Sequence, residues 1–314
     1  MTRFEPGTPR SPEWSGAVAD PGQVDALLAK ATAADGTAPV AEQGVHAVHG
    51  RGDAARHLVV DTESGAVAGY AQVVPGHDDH VAMAEVVVDP EHRGRGLGAA
   101  LVSAALDEGG PGARVWAHGD LPAARAVAAR LGLSGARELL QLRRPLADPI
   151  PPVEVPAGVT LRTYEGPADD AELLRVNAAA FAWHPEQGTW TERDVAERRA
   201  EPWFDPRGLF LAVDDGTGRL LGFHWTKVHP AQGDEPEAGE VYVVGVDPDA
   251  QGRGLGRVLT IAGMQHLADL GLGTVLLYVE GDNAAALHTY ERLGFTRFHV
   301  DVAYARVTAI TAAE

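Results

Sequence analysis

The chain has 314 residues, which suits two domains of ordinary size, and its 45% hydrophobic and 22% charged residues are typical of a globular protein. Its formal net charge of −18 argues against nucleic acid as a partner, and its lack of cysteine excludes disulfides, thiolate nucleophiles and cysteine-ligated zinc. No apolar run reaches the length of a membrane span, so we expect no membrane partner. A cytoplasmic location is the default expectation, and we also expect a monomer.

The first half of the sequence predicts an alternation of helices and strands after a Pro-rich, flexible tail at 1–16. Asp20 and Pro21 are typical of an N-cap and a first helical residue, and Gly36 is a plausible stop. We predict a helix at 21–35, strands at 57–61, 66–74 and 81–89, a helix at 97–107, a strand at 113–117, a helix at 122–131 and a closing strand at 138–143.

Five prolines between 145 and 156 mark a stiff, extended linker at 145–158, because proline disfavours central strands and helix interiors. The predicted domains are therefore 17–144 and 159–314. In the second we predict strands at 159–164, 209–213, 219–228, 240–247, 275–279 and 297–306, helices at 169–181, 191–200, 257–270 and 283–293, and a loop at 184–188.

One stretch of ten residues occurs in both halves. Asp89 to Gly98 aligns with Asp247 to Gly256 at an offset of 158 residues, with seven of the ten positions identical. Each copy follows a Val-rich strand and precedes a helix, so the order is strand, glycine turn, helix. Glycines allow close backbone approach, and the unpaired N–H groups of a helix N-terminus bind phosphate oxygens.

Two common phosphate-binding motifs fit this stretch poorly. A P-loop needs Gly-Lys-Ser/Thr, which neither copy has. The dinucleotide fingerprint normally follows the first strand of its domain, whereas several strands come first here, and Arg257 would block the close helix packing of that motif.

The pattern shared by both copies, Gln/Arg-x-x-Gly-x-Gly/Ala, resembles the pyrophosphate signature of the GNAT acetyltransferases. The order of elements and the ending Tyr290-Glu291-Arg292-Leu293-Gly294-Phe295 are also similar to that family. The resemblance implies an α+β (α/β layered) fold of two tandem GNAT-like domains, each a mostly antiparallel mixed sheet flanked by helices.

The resemblance also implies acetyl-CoA as cofactor, with one molecule in each domain, and requires no metal. In the second domain we expect contacts along the strand before the turn, in the turn, and at the start of the last helix. These residues are Val244, Gly245 and Val246; Gln251, Gly252, Arg253, Gly254, Leu255, Gly256 and Arg257; and Asn283, Ala284, Ala285, Ala286, Leu287 and His288.

Gly245 interrupts an apolar strand, which indicates a bulge, a close backbone approach or only a packing glycine. We expect Glu240 to share a strand face with Tyr242 and Val244. A carboxylate at the start of a strand can simply be exposed to solvent. Beside a thioester, it can instead act as a general base. Tyr290 is a core aromatic residue or, as the resemblance implies, the acid that protonates the departing thiolate.

One branch of the family, with two tandem domains, is similar to this chain in longer sequence segments. Examples are Phe181-Ala182-Trp183-His184-Pro185-Glu186 and Phe223-His224-Trp225-Thr226-Lys227-Val228. That branch acetylates the cysteine amine of cysteinyl-glucosaminyl-inositol. The resemblance makes Glu42, Glu186, Lys227, Glu240 and Tyr278 contacts of this small amine, with Glu42 contributed by the first domain. The histidines His184, His224, His229 and His288 lack a metal-binding spacing.

The first domain departs from the active pattern, since Ala82 and Ala128 stand where Glu240 and Tyr290 stand in the second. We expect it to bind acetyl-CoA without transferring acetyl, although Glu85 is an alternative base. Its cofactor contacts would be Val86, Val87, Val88, Gly94, Arg95, Gly96, Leu97, Gly98 and Ala99. Rival hypotheses are an acetyltransferase acting on a protein N-terminus or an aminoglycoside, and an acyl-CoA sensor without turnover.

Overall fold

The computed structural model describes residues 13–51, 54–76, 80–182, 187–231 and 236–307. These residues form two compact units: one runs up to Leu139 and resumes at Val300, and the other spans Leu140–His299. The unit limits differ from the predicted domains 17–144 and 159–314, because residues 302–305 of the last strand pair with residues 114–117 of the first unit. Each unit is described by itself below.

The first unit is a mixed sheet with helices on both faces, and the start of β5 (Leu133–Pro145) also belongs to it. Its helices are α1 (Pro21–Asp35), α2 (Glu42–Val48), α3 (Leu97–Gly109) and α4 (Pro122–Leu131), and its strands are β1 (Arg56–Asp61), β2 (Val67–Val74), β3 (Met83–Val88), β4 (Arg114–Ala117) and the end of β11 (Thr296–Arg306). The strand order is β1-β2-β3-β4-β11, with β3 and β4 parallel.

The second unit repeats this plan. It contains the later part of β5 (Leu133–Pro145), then β6 (Val159–Thr163), α5 (Asp170–Ala180), α6 (Glu192–Ala200), β7 (Leu209–Asp214), β8 (Leu220–His229), β9 (Ala238–Val246), α7 (Leu255–Asp269), β10 (Thr274–Glu280) and α8 (Ala284–Arg292). Its order is β5-β10-β9-β8-β7-β6, and β9 and β10 are parallel.

Both faces of each sheet are covered by apolar helix surfaces. In the first unit, Leu101 and Leu106 of α3 pack on one side, and Val24 and Leu28 of α1 pack in a separate cluster with Tyr70. In the second unit α5 and α6 bury one face and α7 the other, through clusters centred on Phe223, Trp225 and Leu259. Two layers of helix around one sheet exclude water from both faces.

The predicted strands and helices are confirmed to within a few residues, and the caps explain the helix starts. Of the predicted loop at 184–188, residues 184–186 lie outside the described residues, and Gln187–Thr189 form one turn of 3-10 helix. The Asp20 side chain accepts from the Gln23 N–H, and Thr191 and Asp194 form the reciprocal capping box. The sequence analysis did not predict α2. Its N-cap residue is Ala41, which has no side chain that could accept a capping hydrogen bond. Strand β5 is also longer than the predicted 138–143.

The Pro-rich segment has neither helix nor strand between residues 146 and 158. The Arg144 side chain is buried and donates to the carbonyl oxygens of Pro145, Asp148 and Pro149 at 2.9, 3.2 and 2.8 Å. These bonds fix the start of the segment. Of the predicted flexible tail, residues 1–12 lie outside the described residues, and Ser15 forms a bridge with His57.

Candidate active site

Strands β9 and β10 part in the middle of the second unit. Their parallel pairing in the described residues covers only Val275 with Gly239 and Leu276 with Glu240, although β9 continues to Val246 and β10 to Glu280. Beyond Glu240, backbone groups of β9 that face β10 are left for another partner. An extended chain with amide groups, such as a pantetheine arm, fits such an opening.

A β-bulge lies at Tyr242 in β9. Trp225 of β8 is opposite Val243, whereas Thr226 is opposite Val241, so Tyr242 is the extra residue. Val244 pairs with His224 and therefore lies on the sheet face opposite to Glu240. The predicted common face of Glu240 and Val244 is wrong, because the bulge reverses the alternation that the sequence alone suggested.

Gly245 pairs with Phe223 in a regular register, so the bulge does not lie at this glycine. A Cβ atom at Gly245 would lie 2.8 Å from Cε1 of Phe223 and 3.3 Å from Cε2 of Phe181. The sequence left three reasons for a glycine here: a bulge, a close backbone approach or packing. Close packing against these two rings accounts for it.

Glu240 lies at the point where β9 and β10 part, and it is only 7% exposed. Its Oε2 atom is 2.6 Å from Nε2 of His229, at the end of β8. A buried carboxylate requires such a partner. The sequence analysis assigned no role to His229. The available signal was its position two residues after Lys227 on a strand antiparallel to β9.

Lys227 is directly opposite Glu240 in the register of β8 and β9. Its Nζ atom lies over the rings of Trp203 and Tyr242, 5.2 and 5.5 Å from their centroids. These cation–π contacts direct the ammonium to the two rings, and no ion pair between Lys227 and Glu240 occurs in the described residues. A cation and an anion therefore flank the opening.

The glycine turn of the second unit has the geometry of an anion site. Gly252 and Gly254 have φ of +77° and +78°, and α7 begins at Leu255 with Gly254 as its N-cap. The first backbone bond of the helix is Val258 N–H to Gly254 O, and within the described chain the amides from Gly252 to Arg257 have no protein acceptor. Their donors and the helix dipole suit a diphosphate.

Two further contacts shape this region. The Arg175 guanidinium donates to Asp247 at 2.5 Å and to the carbonyl oxygen of Leu220 at 2.7 Å, which anchors the residue before the turn. Asn283 Oδ1 accepts from the Ala286 N–H at 3.1 Å, so the predicted cap of α8 is confirmed.

Tyr290 and Tyr278 differ in environment. Tyr290 is half-buried on α8, its ring meets Phe295 edge-on at 5.7 Å, and its hydroxyl has no hydrogen-bond partner in the described residues. Burial raises the pKa of Tyr290 to about 12, so the phenol stays protonated at neutral pH. Tyr278 on β10 is 48% exposed, and its hydroxyl accepts from Gln141 Nε2 at 2.6 Å.

The corresponding opening in the first unit is a cavity of about 420 Å³ between the ends of β3 and β4. Its walls include most of the predicted cofactor contacts of this unit: Val86, Val87, Val88, Gly94, Gly96, Gly98 and Ala99. Arg93, which replaces Gln251, is held by Asp35 in two bonds of 2.7 and 2.8 Å. A cavity of this size beside a glycine turn is a candidate ligand pocket.

Both oxygens of Glu85 in the first unit are occupied. Oε1 accepts from the Ala41 N–H at 2.7 Å and from His118 Nε2 at 2.8 Å, and Oε2 accepts from Gln72 Nε2 at 2.5 Å. A Cβ atom at Gly44 of α2 would clash with Gln72 and Glu85, so α2 closes over this pair. Glu85 therefore lacks the free oxygen that a base requires.

Other predicted site residues are less informative. Glu42 is exposed at the start of α2, and Glu186 lies outside the described residues. No group of three or more His, Asp or Glu side chains able to hold a metal occurs in the described parts of the chain. In the same parts, no helix is long and apolar enough to cross a bilayer.

A family model described as the acetyltransferase (GNAT) family matches residues 27–133 and 177–295, one match in each half of the chain. The chain belongs to this family. The structure of a GCN5-related N-acetyltransferase from Sphaerobacter thermophilus has a TM-score of 0.70 at 24% identity and covers 95% of this chain and 96% of that one. A tandem GNAT protein from the clavulanic acid biosynthesis pathway gives 0.64 at 22%, covering 94% and 98%. At these identities the structures support the fold alone.

Closer relatives carry the name mycothiol acetyltransferase. The protein of Rhodococcus opacus (strain B4) is 70% identical over 286 residues, covering 90% of this chain and 93% of the relative. Those of Nocardia farcinica (strain IFM 10152) and Mycobacterium sp. (strain JLS) are 65% and 57% identical, covering 89% and 94% of this chain and 91% and 98% of the relatives. The resemblance to the tandem branch is confirmed.

Proposed function

We propose that this chain transfers the acetyl group of acetyl-CoA to the cysteine amine of cysteinyl-glucosaminyl-inositol, which gives mycothiol in the last step of its biosynthesis. The relatives named above, 57–70% identical over about nine-tenths of the chain, support the acceptor. The observation that carries the chemistry is the buried carboxylate of Glu240 at the point where β9 and β10 part.

Glu240 acts as the general base. An α-ammonium group must lose a proton before its nitrogen can attack a carbonyl carbon, and a carboxylate within hydrogen-bond reach, or one water away, can take that proton. Only Oε2 of Glu240 has a hydrogen-bond partner in the described residues, so Oε1 is the oxygen available to the amine.

The second unit holds acetyl-CoA, which supplies the acetyl group as a thioester. The unpaired amides from Gly252 to Arg257 bind the diphosphate of acetyl-CoA. The start of α8, from Asn283 to His288, is a second stretch that contacts the CoA. Backbone groups of Val244, Gly245 and Val246, beyond the end of the β9–β10 pairing, bind the pantetheine amides and polarise the carbonyl oxygen.

Tyr290 donates a proton to the departing thiolate sulfur. Its phenol is protonated at neutral pH and its hydroxyl is not engaged elsewhere in the described structure. The acetyl group passes directly to the amine in a ternary complex. The absence of cysteine agrees with this route, and the base and acid suffice for one displacement.

The acceptor contacts remain proposals. Lys227 is opposite Glu240 in the strand register and is proposed to bind sugar or inositol hydroxyls, and Tyr278 presents an exposed ring on β10. Glu42 and Glu186 complete the predicted set. We further propose a monomeric cytoplasmic enzyme that requires no metal, no nucleic acid and no membrane.

The first unit binds a second acetyl-CoA without turnover. The cavity lined by Val86 to Val88 and by the turn Gly94 to Ala99 supports binding. Buried Ala82 and Ala128 in place of the base and acid, and the full occupation of the Glu85 oxygens, support the absence of transfer.

Turnover by the purified protein tests the activity. With acetyl-CoA and cysteinyl-glucosaminyl-inositol we expect free CoA and the N-acetylated product to form in equal amounts, each separated by chromatography and identified by mass. A protein N-terminal peptide and an aminoglycoside serve as rival acceptors. Binding of acetyl-CoA with no turnover on any acceptor would favour a sensor and refute the proposal.

Glu240→Gln is the decisive substitution in this assay. The amide keeps the shape but cannot take a proton, so the rate should fall about 10²–10⁴-fold while acetyl-CoA still binds. Isothermal titration of the variant with CoA provides the control. An unchanged rate in the Gln variant would remove Glu240 from the role of base.

A further inference from the structure

His229 is the partner of the proposed base and has no part in the chemistry described so far. The His229 imidazole lies 2.6 Å from Oε2 of Glu240, and the side chains are 37% and 9% exposed, respectively. The pair thus joins a buried carboxylate to a ring that reaches solvent. Hydrogen bonds to a buried charge are strong and geometrically restrictive.

The strand register explains how the two side chains meet. His229 is opposite Ala238 and Lys227 is opposite Glu240, so His229 reaches Glu240 across the diagonal of the antiparallel pair. Both residues lie before the bulge at Tyr242, in a stretch where the pairing of β8 and β9 is regular. The contact is therefore held by two paired strands.

The other cation nearby does not replace this contact. Lys227 directs its ammonium at the rings of Trp203 and Tyr242, and within the described residues the only hydrogen bond to the Glu240 side chain comes from His229. One carboxylate oxygen is thereby engaged and the other is left free. A hydrogen bond at one oxygen restricts rotation of the carboxylate and so favours one direction for the other oxygen.

We infer that His229 is a positioning residue for acetyl transfer: its Nε2–H donates to Oε2 of Glu240 and so directs Oε1 toward the acceptor amine. The inference rests on the proposed role of Glu240 as base. The proton that leaves the ammonium forms a bond with Oε1, and the amine lone pair is then available to the carbonyl carbon. His229 itself exchanges no proton in this step.

Paired substitutions test the inference. His229→Phe keeps a planar ring without the donor, and His229→Gln keeps a side-chain N–H donor. We expect the Phe variant to lower kcat about 10- to 100-fold, in line with loss of a hydrogen bond to a charged group, with little change in KM for acetyl-CoA. The Gln variant should recover a large part of that loss.

Chemical rescue separates positioning from a merely structural role. Because His229 is partly exposed, added imidazole should enter the space left in His229→Ala and restore part of kcat, whereas a misfolded variant would not respond. His49→Ala is the matched control: His49 pairs with Asp25 at 3.2 Å in the first unit and should leave both the rate and the response to imidazole unchanged.

Three outcomes would overturn the inference: full activity in His229→Phe, equal loss in the Phe and Gln variants, or no rescue of His229→Ala by imidazole. Failure of the proposed function is distinguishable, because it would appear as an unchanged rate in Glu240→Gln. If the Glu240→Gln variant is slow and the His229→Phe variant is fully active, Glu240 keeps its role as base and only the positioning role of His229 is refuted.

Discussion

The environment of Tyr290 keeps its phenol protonated. The ring is half-buried and packs on Phe295, and burial raises the pKa of its hydroxyl to about 12. A phenol whose pKa lies that far above neutrality is a poor base and an available acid. Its lack of a hydrogen-bond partner in the described residues leaves the proton free for a departing sulfur.

Tyr290→Phe removes this proton and little else. We expect kcat to fall by about 10²-fold, the lower limit for a positioned acid, because water can partly replace it. CoA affinity and the melting temperature should stay close to those of the unsubstituted protein, since ring packing is retained. Steady-state kinetics between pH 6 and 9 provide the measurement.

A kcat in the Phe variant equal to that of the unsubstituted protein over this whole range would contradict the role of acid. The alkaline side of the pH–rate profile of the unsubstituted protein is informative as well. Because the phenol pKa is about 12, deprotonation of Tyr290 should cause no loss of rate below pH 9.

At the scale of elements, His118 in the first unit joins three strands. It follows β4, its Nε2 atom is 2.8 Å from Glu85 on β3, and its Nδ1 atom is 3.5 Å from Asp301 on β11. Burial disfavours the charged ring, but hydrogen bonds to Asp301 and Glu85 and their charges outweigh it and raise the pKa of His118 to about 9.

This shift predicts a dependence of stability on pH. The folded pKa lies above the unfolded value of about 6.5, so the stabilisation is fully present below pH 6.5 and is lost as the pH rises through about 9. We expect the melting temperature to fall over that window, by about 2–4 °C for each kcal/mol lost.

His118→Gln should melt lower than the unsubstituted protein at pH 6 and should lack the decline between pH 6.5 and 9. Differential scanning calorimetry at several pH values measures both effects. His49→Ala, which alters an exposed pair in the same unit, should keep the decline. An unsubstituted protein whose melting temperature is flat across this window would contradict the ion pair.

At the scale of the whole molecule, the duplication gives two glycine turns with matching backbone. Gly94 and Gly96 have φ of +76° and +88°, and Gly252 and Gly254 have +77° and +78°. In both turns the second of these glycines is the N-cap of a long helix. Two turns with the same shape predict two acetyl-CoA molecules for each chain.

Native mass spectrometry should therefore find two bound acetyl-CoA molecules. Gly254→Val and Gly96→Val should each reduce the number to one, because a β-branched residue at φ near +80° is strained and moves the turn. Only the first of these substitutions should stop turnover through the second unit.

Gly218→Val provides the matched control, since Gly218 has φ of +70° in the turn between β7 and β8 and no atom within 4 Å of an added Cβ. It should retain two ligands. A single ligand in the unsubstituted protein, lost in Gly254→Val and kept in Gly96→Val, would contradict binding by the first unit.

The sequence by itself determined the duplicated plan, the glycine turns and the helix caps. Each of these features is set by residues a few positions apart, because a helix cap, a turn or a repeated motif is contained in one short segment of the chain. Resemblance to a family supplied the chemistry that local patterns lack.

Only the tertiary structure decided the bulge at Tyr242, the face of Val244, the partner of Glu240 and the closure of Glu85 by Gln72 and His118. Each of these depends on which strand lies beside which and in what register. A shift of one residue reverses every side chain of a strand, and that shift is set by contacts between segments far apart in sequence.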